Sequence, residues 1–247
     1  MDKLLKIYHF LLELLFPSFC LGCKKEGTYL CEDCKSTLEI SEYNYCLCNK
    51  NPLRLPPYIL GKPQGKCPKC TDKKLSGLYS ALPYKEKFLT RKLIYQFKYP
   101  PYIKSLSETL ARILQDHFII TENINEEIWK NSILISVPVE KSRLKNRDYN
   151  QSEELAKKLS AILKVPVILD NLIKIKATKP QMELSAKERQ ENVKNAFLIK
   201  KPEEISGKKI FLLDDVYTTG STMEECAKVL KESGAKEVWG ISIAREG

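Results

Sequence analysis

Asp214 and Asp215 stand side by side directly after the apolar run Ile210–Leu213, and after Val216-Tyr217 comes the hydroxyl-rich segment Thr218-Thr219-Gly220-Ser221-Thr222. Two adjacent carboxylates can accept hydrogen bonds from a pair of sugar hydroxyls. The apolar run predicts a buried strand, and residues at a strand's carboxyl end sit where open α/β sheets bind ligands. A helix expected from Met223 would point backbone N–H groups and its positive dipole end at a phosphate. Gly220 would let the backbone come close. Hydroxyl acceptors followed by a phosphate cradle match one chemical class, a ribose 5-phosphate. Either half alone is ordinary, since an acidic pair often only opens a loop and a Thr/Ser run often only caps a helix. The specificity lies in their order. The alternative phosphate motifs, GxxxxGK[ST] and a GxGxxG after a strand, are missing from the sequence.

The second chemical signal is sulfur. Eight of the nine cysteines fall between Cys20 and Cys70 in four close pairs: Cys20/Cys23, Cys31/Cys34, Cys46/Cys48 and Cys67/Cys70. Thiolates at C-x2-C spacing bind zinc tetrahedrally, and short loops of this kind gain from the metal the stability that a small core cannot supply. One or two structural zinc ions are expected. Sequential pairing and an interleaved pairing of the first and third pairs both satisfy the spacing. Neither set leaves an evident open position, so the metal reads as structural. Cys226 stands alone in a predicted helix and reads as a small buried apolar residue. His9 and His117 are the only histidines and lie in apolar helical contexts, so a histidine-based hydrolytic triad has no support.

These groups need elements to position them. Leu78–Pro83, Ser132–Val139, Val165–Leu169 and Val238–Ala244 read as strands beside Ile210–Leu213. Helices are expected on both sides of Pro100-Pro101, over Gln151–Leu163, and over Ser185–Asn192 within a long polar connection that could close over a ligand. The loop after Ser132–Val139 carries Lys141, Arg143, Lys145 and Arg147, a cluster able to hold a pyrophosphate. From Lys85 to Lys104 there are six basic residues and one acidic, interleaved with Tyr84, Tyr95, Phe97, Tyr99 and Tyr102. That stretch suits a nucleic-acid single strand, with charges on phosphates and rings on bases. It equally suits an amphipathic helix whose rings face the core.

The chain has 247 residues and a formal net charge of +10, which predicts an anionic partner. Eight thiolates around two zinc ions would lower that charge to about +6. At the N-terminus Leu4, Leu5, Tyr8, Leu11, Leu12 and Leu15 recur near helical spacing, but Lys6, His9, Glu13 and Pro17 interrupt the segment. It reads as an amphipathic helix packed on the protein or lying on a membrane surface, too short to span a bilayer. Reduced, metal-binding cysteines point to the cytoplasm. Two units are expected, a head over residues 1–75 and an α/β domain over residues 76–247.

The Asp214-to-Thr222 segment resembles the phosphoribosyl pyrophosphate (PRPP) loop of type I phosphoribosyltransferases. With the cysteine pairs, Phe97-Lys98-Tyr99, Pro138, and Arg147-Asp148-Tyr149-Asn150-Gln151, the chain resembles the ComF (ComFC) family over nearly its whole length. Asp148 and Tyr149 depart from that family's R-G-F-N-Q pattern. Thr178, Gln181, Leu184, Arg189, Asn192 and Phe197 match a further family pattern. The resemblance implies a mostly parallel sheet flanked by helices with a small hood, and PRPP with magnesium at the acidic pair and loop. It implies a competence factor that handles incoming single-stranded DNA in natural transformation. The alternative is an active phosphoribosyltransferase acting on an unknown base or amine. Lys141, Arg143 and Arg147 would then hold the leaving pyrophosphate, Asp214 and Asp215 the ribose hydroxyls and magnesium, and Thr218, Thr219, Gly220, Ser221 and Thr222, with Arg189, the phosphate end. Catalysis would rest on positioning and charge neutralisation. A third reading makes the chain an interaction adaptor whose zinc head docks a competence helicase or a recombination-loading protein.

Overall fold

A computed structural model of the chain describes residues 17–56, 58–59, 62–63, 65–84, 88–140, 149–178 and 184–246. The N-terminal helix expected before Pro17, the basic-loop residues Lys141, Arg143, Lys145, Arg147 and Asp148, and Gln181 lie outside the described residues. Beyond the two short two-stranded ribbons of residues 44–63, the strands in chain order are β1 (Gly77–Pro83), β2 (Ser132–Ser136), β3 (Val167–Ile168), β4 (Leu172–Lys174), β5 (Phe197–Ile199), β6 (Lys209–Tyr217) and β7 (Glu237–Arg245). The helices longer than one turn are α1 (Phe88–Lys98), α2 (Leu106–Ile120), α3 (Gln151–Leu163), α4 (Ala186–Val193) and α5 (Ser221–Glu232).

Five strands form one sheet in the order β1-β7-β6-β2-β3, and every neighbouring pair is parallel. A parallel sheet buries both faces, which is why Ile210–Leu213 is apolar without alternation. Ile210 and Leu212 pack with Met223, Cys226, Ala227 and Leu230 of α5. Phe211 and Leu213 join the opposite cluster with Leu110, Leu114 and Phe118 of α2 and Leu155 and Leu159 of α3. Each such side chain contributes about 1.5–3 kcal/mol by leaving water. β4 and β5 pair antiparallel as a separate small ribbon.

Connectivity places the ligand crevice. From β2 the chain crosses through α3 to β3 at one edge, and from β6 it crosses through α5 to β7 on the other side. The two connections leave neighbouring strands and diverge, so a gap opens at the carboxyl ends of β2 and β6.

The strands read over Ser132–Val139 and Val165–Leu169 are shorter, and two boundaries at the acidic loop also differ from the sequence reading. β6 does not stop before the acidic pair but runs through it to Tyr217, because Asp214, Val216 and Tyr217 keep pairing with Ser242, Ala244 and Arg245 of the equally long β7. The following helix begins at Ser221, two residues before Met223, because Gly220 turns the chain at φ 76°. Ser221 and Thr222 therefore belong to the first helical turn.

The Cys-rich head covers the outer edge of β1. The Ser41 amide donates to the Ala81 carbonyl at 2.8 Å, so the edge strand is not left open for pairing. Leu21, Leu30 and Leu38 enter the cluster on the α2 face, while Leu47, Leu55, Cys67 and Cys70 enter the one on the α5 face. His117 is wholly buried in α2 and its Nδ1 donates to the Ser41 carbonyl at 2.8 Å. Burial pushes its pKa down to about 4, so it is a neutral packing residue. Cys226 is also wholly buried, and burial raises its thiol well above the ordinary value.

Candidate ligand site and metal centres

The acidic pair lies at the carboxyl end of β6, beside the crevice. Asp214 Oδ1 accepts from Ser152 Oγ at 3.1 Å and from the Asp215 amide at 2.9 Å. Asp215 is 5% exposed, and Lys98 Nζ stands 2.7 Å from its Oδ2 and 3.0 Å from its Oδ1. Burial, and then the neighbouring Asp215 charge, push Asp214 up to about 7. Burial works against the charged form of Lys98, but the Asp215 and Asp214 carboxylates outweigh it and hold the ammonium above its ordinary value.

Segments far apart in sequence converge here. Lys98 is the last residue of α1. Tyr149 Oη donates to the Phe97 carbonyl at 2.7 Å, and Gln151 Nε2 to the Lys98 carbonyl at 3.5 Å. Asn150 caps α3 through the Ser152 amide at 3.1 Å and donates Nδ2 to the Val137 carbonyl at 3.2 Å. The Phe97-Lys98-Tyr99 and Tyr149-Asn150-Gln151 motifs are thus two halves of one support for the acidic pair. Sequence reasoning missed Lys98 and Ser152 as site residues. Lys98 stood among other surface-like cations, and no local spacing relates it to Asp215.

Beyond Tyr217 the loop turns sharply. A Cβ on Gly220 would collide with the Tyr217 ring, so the backbone conformation and the space both require glycine. Thr219 Oγ1 and Ser221 Oγ lie 2.9 Å apart, and Ser221 and Thr222 open α5. Its first N–H groups have no helical partners of their own and suit an anion. Arg189 of α4 donates Nη1 to Thr218 Oγ1 at 3.3 Å and Nε to the Leu184 carbonyl at 3.0 Å. A capping box between Ser185 and Glu188 sets the start of that helix. Thr218, Thr219, Gly220, Ser221 and Thr222, with Arg189 against Thr218, thus follow directly on the strand end that carries Asp214 and Asp215. Hydroxyl acceptors sit at one end of this stretch, with donors and a helix N-terminus at the other.

The cysteines assemble sequentially. Cys20, Cys23, Cys31 and Cys34 form one group and Cys46, Cys48, Cys67 and Cys70 another, with all Sγ atoms of a group within 4.8 Å of one another. Sγ separations include 3.7 Å for Cys20–Cys31, 3.5 Å for Cys23–Cys31 and 3.6 Å for Cys48–Cys67. A tetrahedron with Zn–S near 2.3 Å requires S–S separations of about 3.8 Å, so both groups fit zinc. Burial, followed by the neighbouring thiols, pushes Cys34 up to about 12. The Cys70 sulfur, followed by burial, does the same to Cys48. A dication relieves that crowding by stabilising every thiolate at once. The second group is bonded to the ligand loop's strand and the end of β7. Tyr217 Oη donates to the Leu47 carbonyl at 3.2 Å, and Arg245 donates to the Cys46 and Cys48 carbonyls at 3.1 and 2.9 Å.

The aromatic and basic residues of α1 divide between two faces. Thr90, Leu93, Ile94 and Phe97 are buried, while Phe88 is 79% and Tyr95 52% exposed. Tyr95 and Tyr99 lie ring to ring at 4.9 Å, and Lys92 sits over the Phe88 ring at 5.5 Å. Arg91 is exposed on the same helix. Phe97 faces the core, Tyr84 and Tyr102 pack half-buried against it, and Phe88 and Tyr95 face outward.

A parallel sheet with an acidic pair and a hydroxyl-rich loop at its switch point, joined to four-cysteine groups, defines a phosphoribosyltransferase-type fold with a Cys-rich head. Residues 150–245 match the phosphoribosyl transferase domain family. The chain is 37% identical over 145 residues to Competence protein F of Haemophilus influenzae, covering 56% of this chain and 62% of that protein. It is 28% identical over 252 aligned positions to Competence protein ComFC of Streptococcus pneumoniae, covering 94% of each. It is 29% identical over 221 residues to the DNA utilization protein YhgH of Salmonella typhi, covering 85% of this chain and 95% of that protein. The first match spans less than two thirds of its relative's length. Over most of its length the chain is thus similar to the ComFC and YhgH proteins. Among the described residues no helix is long and apolar enough to cross a membrane.

Proposed function

We propose that this protein serves competence by handling single-stranded DNA, and that it holds PRPP at the Asp214-to-Thr222 site. The competence-protein relatives support the first part. The observation that carries the reading is the double role of α1. One face presents Phe88, Arg91 and Tyr95 outward, and its last residue, Lys98, enters the acidic pair. A strand stacked on that face and a sugar phosphate at that pair would share one helix, so either ligand can alter the affinity for the other. Ribose hydroxyls would meet the Asp214 carboxylate, and the 5-phosphate the Thr218–Thr222 turn at the start of α5. Magnesium would arrive on the ligand's diphosphate, the way this ion is usually held by phosphates.

The test is fluorescence anisotropy of labelled single-stranded DNA with zinc-loaded protein, with and without PRPP and magnesium, at two salt concentrations. Salt-sensitive binding that PRPP alters is the expected result. Absence of DNA binding under all conditions would remove the DNA-handling reading and turn attention to transferase activity, assayed as pyrophosphate release.

A further inference from the structure

The two carboxylates of the acidic pair are not equivalent. Asp215 already has a cation. Lys98 Nζ reaches both of its oxygens, at 2.7 and 3.0 Å, and Oδ1 also accepts the Val216 amide at 2.8 Å. Asp214 is served by neutral donors, the Ser152 hydroxyl and the Asp215 amide, both on Oδ1. Lys98 is not a stray surface side chain. The backbone carrying it is fixed by hydrogen bonds from Tyr149 and Gln151, and the adjacent Phe97 ring is wholly buried. An octahedral magnesium ion needs a carboxylate oxygen at about 2.0–2.1 Å and keeps several waters around itself. That shell does not fit on Asp215 while the ammonium holds both oxygens.

We propose that Lys98 takes the place of a dication at the acidic pair. It neutralises Asp215 and leaves Asp214 to accept sugar hydroxyls, so the ribose-phosphate end of the ligand binds without metal at the pair. This rests on the ribose-phosphate reading of the site. Magnesium is then recruited only by a diphosphate on the ligand, and ribose 5-phosphate, which has none, does not need it.

The experiment uses full-length, zinc-loaded protein. Ribose 5-phosphate and PRPP are titrated calorimetrically in magnesium-free buffer and in millimolar magnesium. Manganese binding to the ligand-free protein is followed by electron paramagnetic resonance, since this ion competes poorly for thiolates. The wild type is expected to bind ribose 5-phosphate equally in both buffers and to leave the free manganese signal unchanged. Lys98→Met is expected to gain a manganese site that a second change, Asp215→Asn, removes. In Lys98→Met, magnesium should tighten ribose 5-phosphate binding on the order of tenfold. The proposal is overturned by a wild-type manganese site that Asp215→Asn abolishes. It is equally overturned by wild-type ribose 5-phosphate binding that needs magnesium, or by Lys98→Met behaving as the wild type. Binding of neither ribose 5-phosphate nor PRPP to the wild type would remove the ribose-phosphate reading itself. The wild-type measurements decide the matter even if a variant fails to fold.

Discussion

Tyr217 closes the strand that carries the acidic pair, and its hydroxyl donates to the carbonyl of Leu47 at 3.2 Å, inside the second cysteine group. The ring also underlies Gly220, where the ligand loop turns. The second four-cysteine group and the Gly220 turn thus rest on the same side chain.

Two zinc ions per chain are expected by elemental analysis, one for each four-cysteine group. Cys20→Ser and Cys67→Ser should each release one ion and lower stability by several kcal/mol. Only Cys67→Ser should also weaken PRPP binding, because the Tyr217 and Arg245 hydrogen bonds end on the second group. Equal loss of PRPP affinity in both variants would break this link.

Gly220→Ala should be destabilising twice over. The residue holds φ 76°, and its new methyl group would strike the Tyr217 ring. A cost of about 1–3 kcal/mol is expected in urea unfolding, together with loss of PRPP affinity from a displaced loop.

On α1, Phe88→Ala and Tyr95→Ala should leave stability within about 0.5 kcal/mol of the wild type, since both rings are exposed. Each should weaken single-stranded DNA binding about tenfold, in line with roughly 1–3 kcal/mol per stacked base. Arg91→Ala should reduce the slope of log affinity against log salt by about 0.7. Phe97→Ala, by contrast, should cost about 3–5 kcal/mol of stability because its ring is in the core. DNA binding indifferent to Phe88, Tyr95 and Arg91 would move the interface to another surface.

His117 predicts a loss of stability in acid. Its folded pKa, about 4, lies below the ordinary 6.5, so the unfolded chain binds the proton more readily. The native state is therefore weakened as pH falls from 6.5 towards 4, and the contribution is fully present above 6.5. The effect is about 3 kcal/mol at most. Urea midpoints across that window should fall less steeply for His117→Gln than for the wild type, and parallel slopes would count against the assignment.

Much of the fold was legible because it depends on neighbours in sequence. Uninterrupted apolar runs marked β6 and β7 as strands buried on both faces. The starts of the helices read over Gln151–Leu163 and Ser185–Asn192 are local as well, since the Asn150 and Ser185 side chains that cap them reach only two or three residues ahead. The reading erred by a few residues where tertiary pairing took over. β7 is long enough to carry β6 through the acidic pair, which no property of Asp214 or Asp215 foretold. For α1 the spacing of rings and cations allowed two outcomes, and only the packing of Leu93, Ile94 and Phe97 decided which rings face water.

By itself the sequence determined the strands of the main sheet and its longer helices, the cysteine pairs and the acid-then-hydroxyl order of the loop, all set by spacings within a few residues, whereas the β4–β5 ribbon read only as a polar connection. The tertiary structure decided how the cysteine pairs combine. It also decided which cation meets Asp215, and that the second cysteine group supports the ligand loop. Those contacts join residues 117, 170 and 199 positions apart: Lys98 to Asp215, Leu47 to Tyr217, and Cys46 to Arg245. At such separations sequence spacing carries no distance information, and only the sheet order, closed by burial of both its faces, brings the partners together.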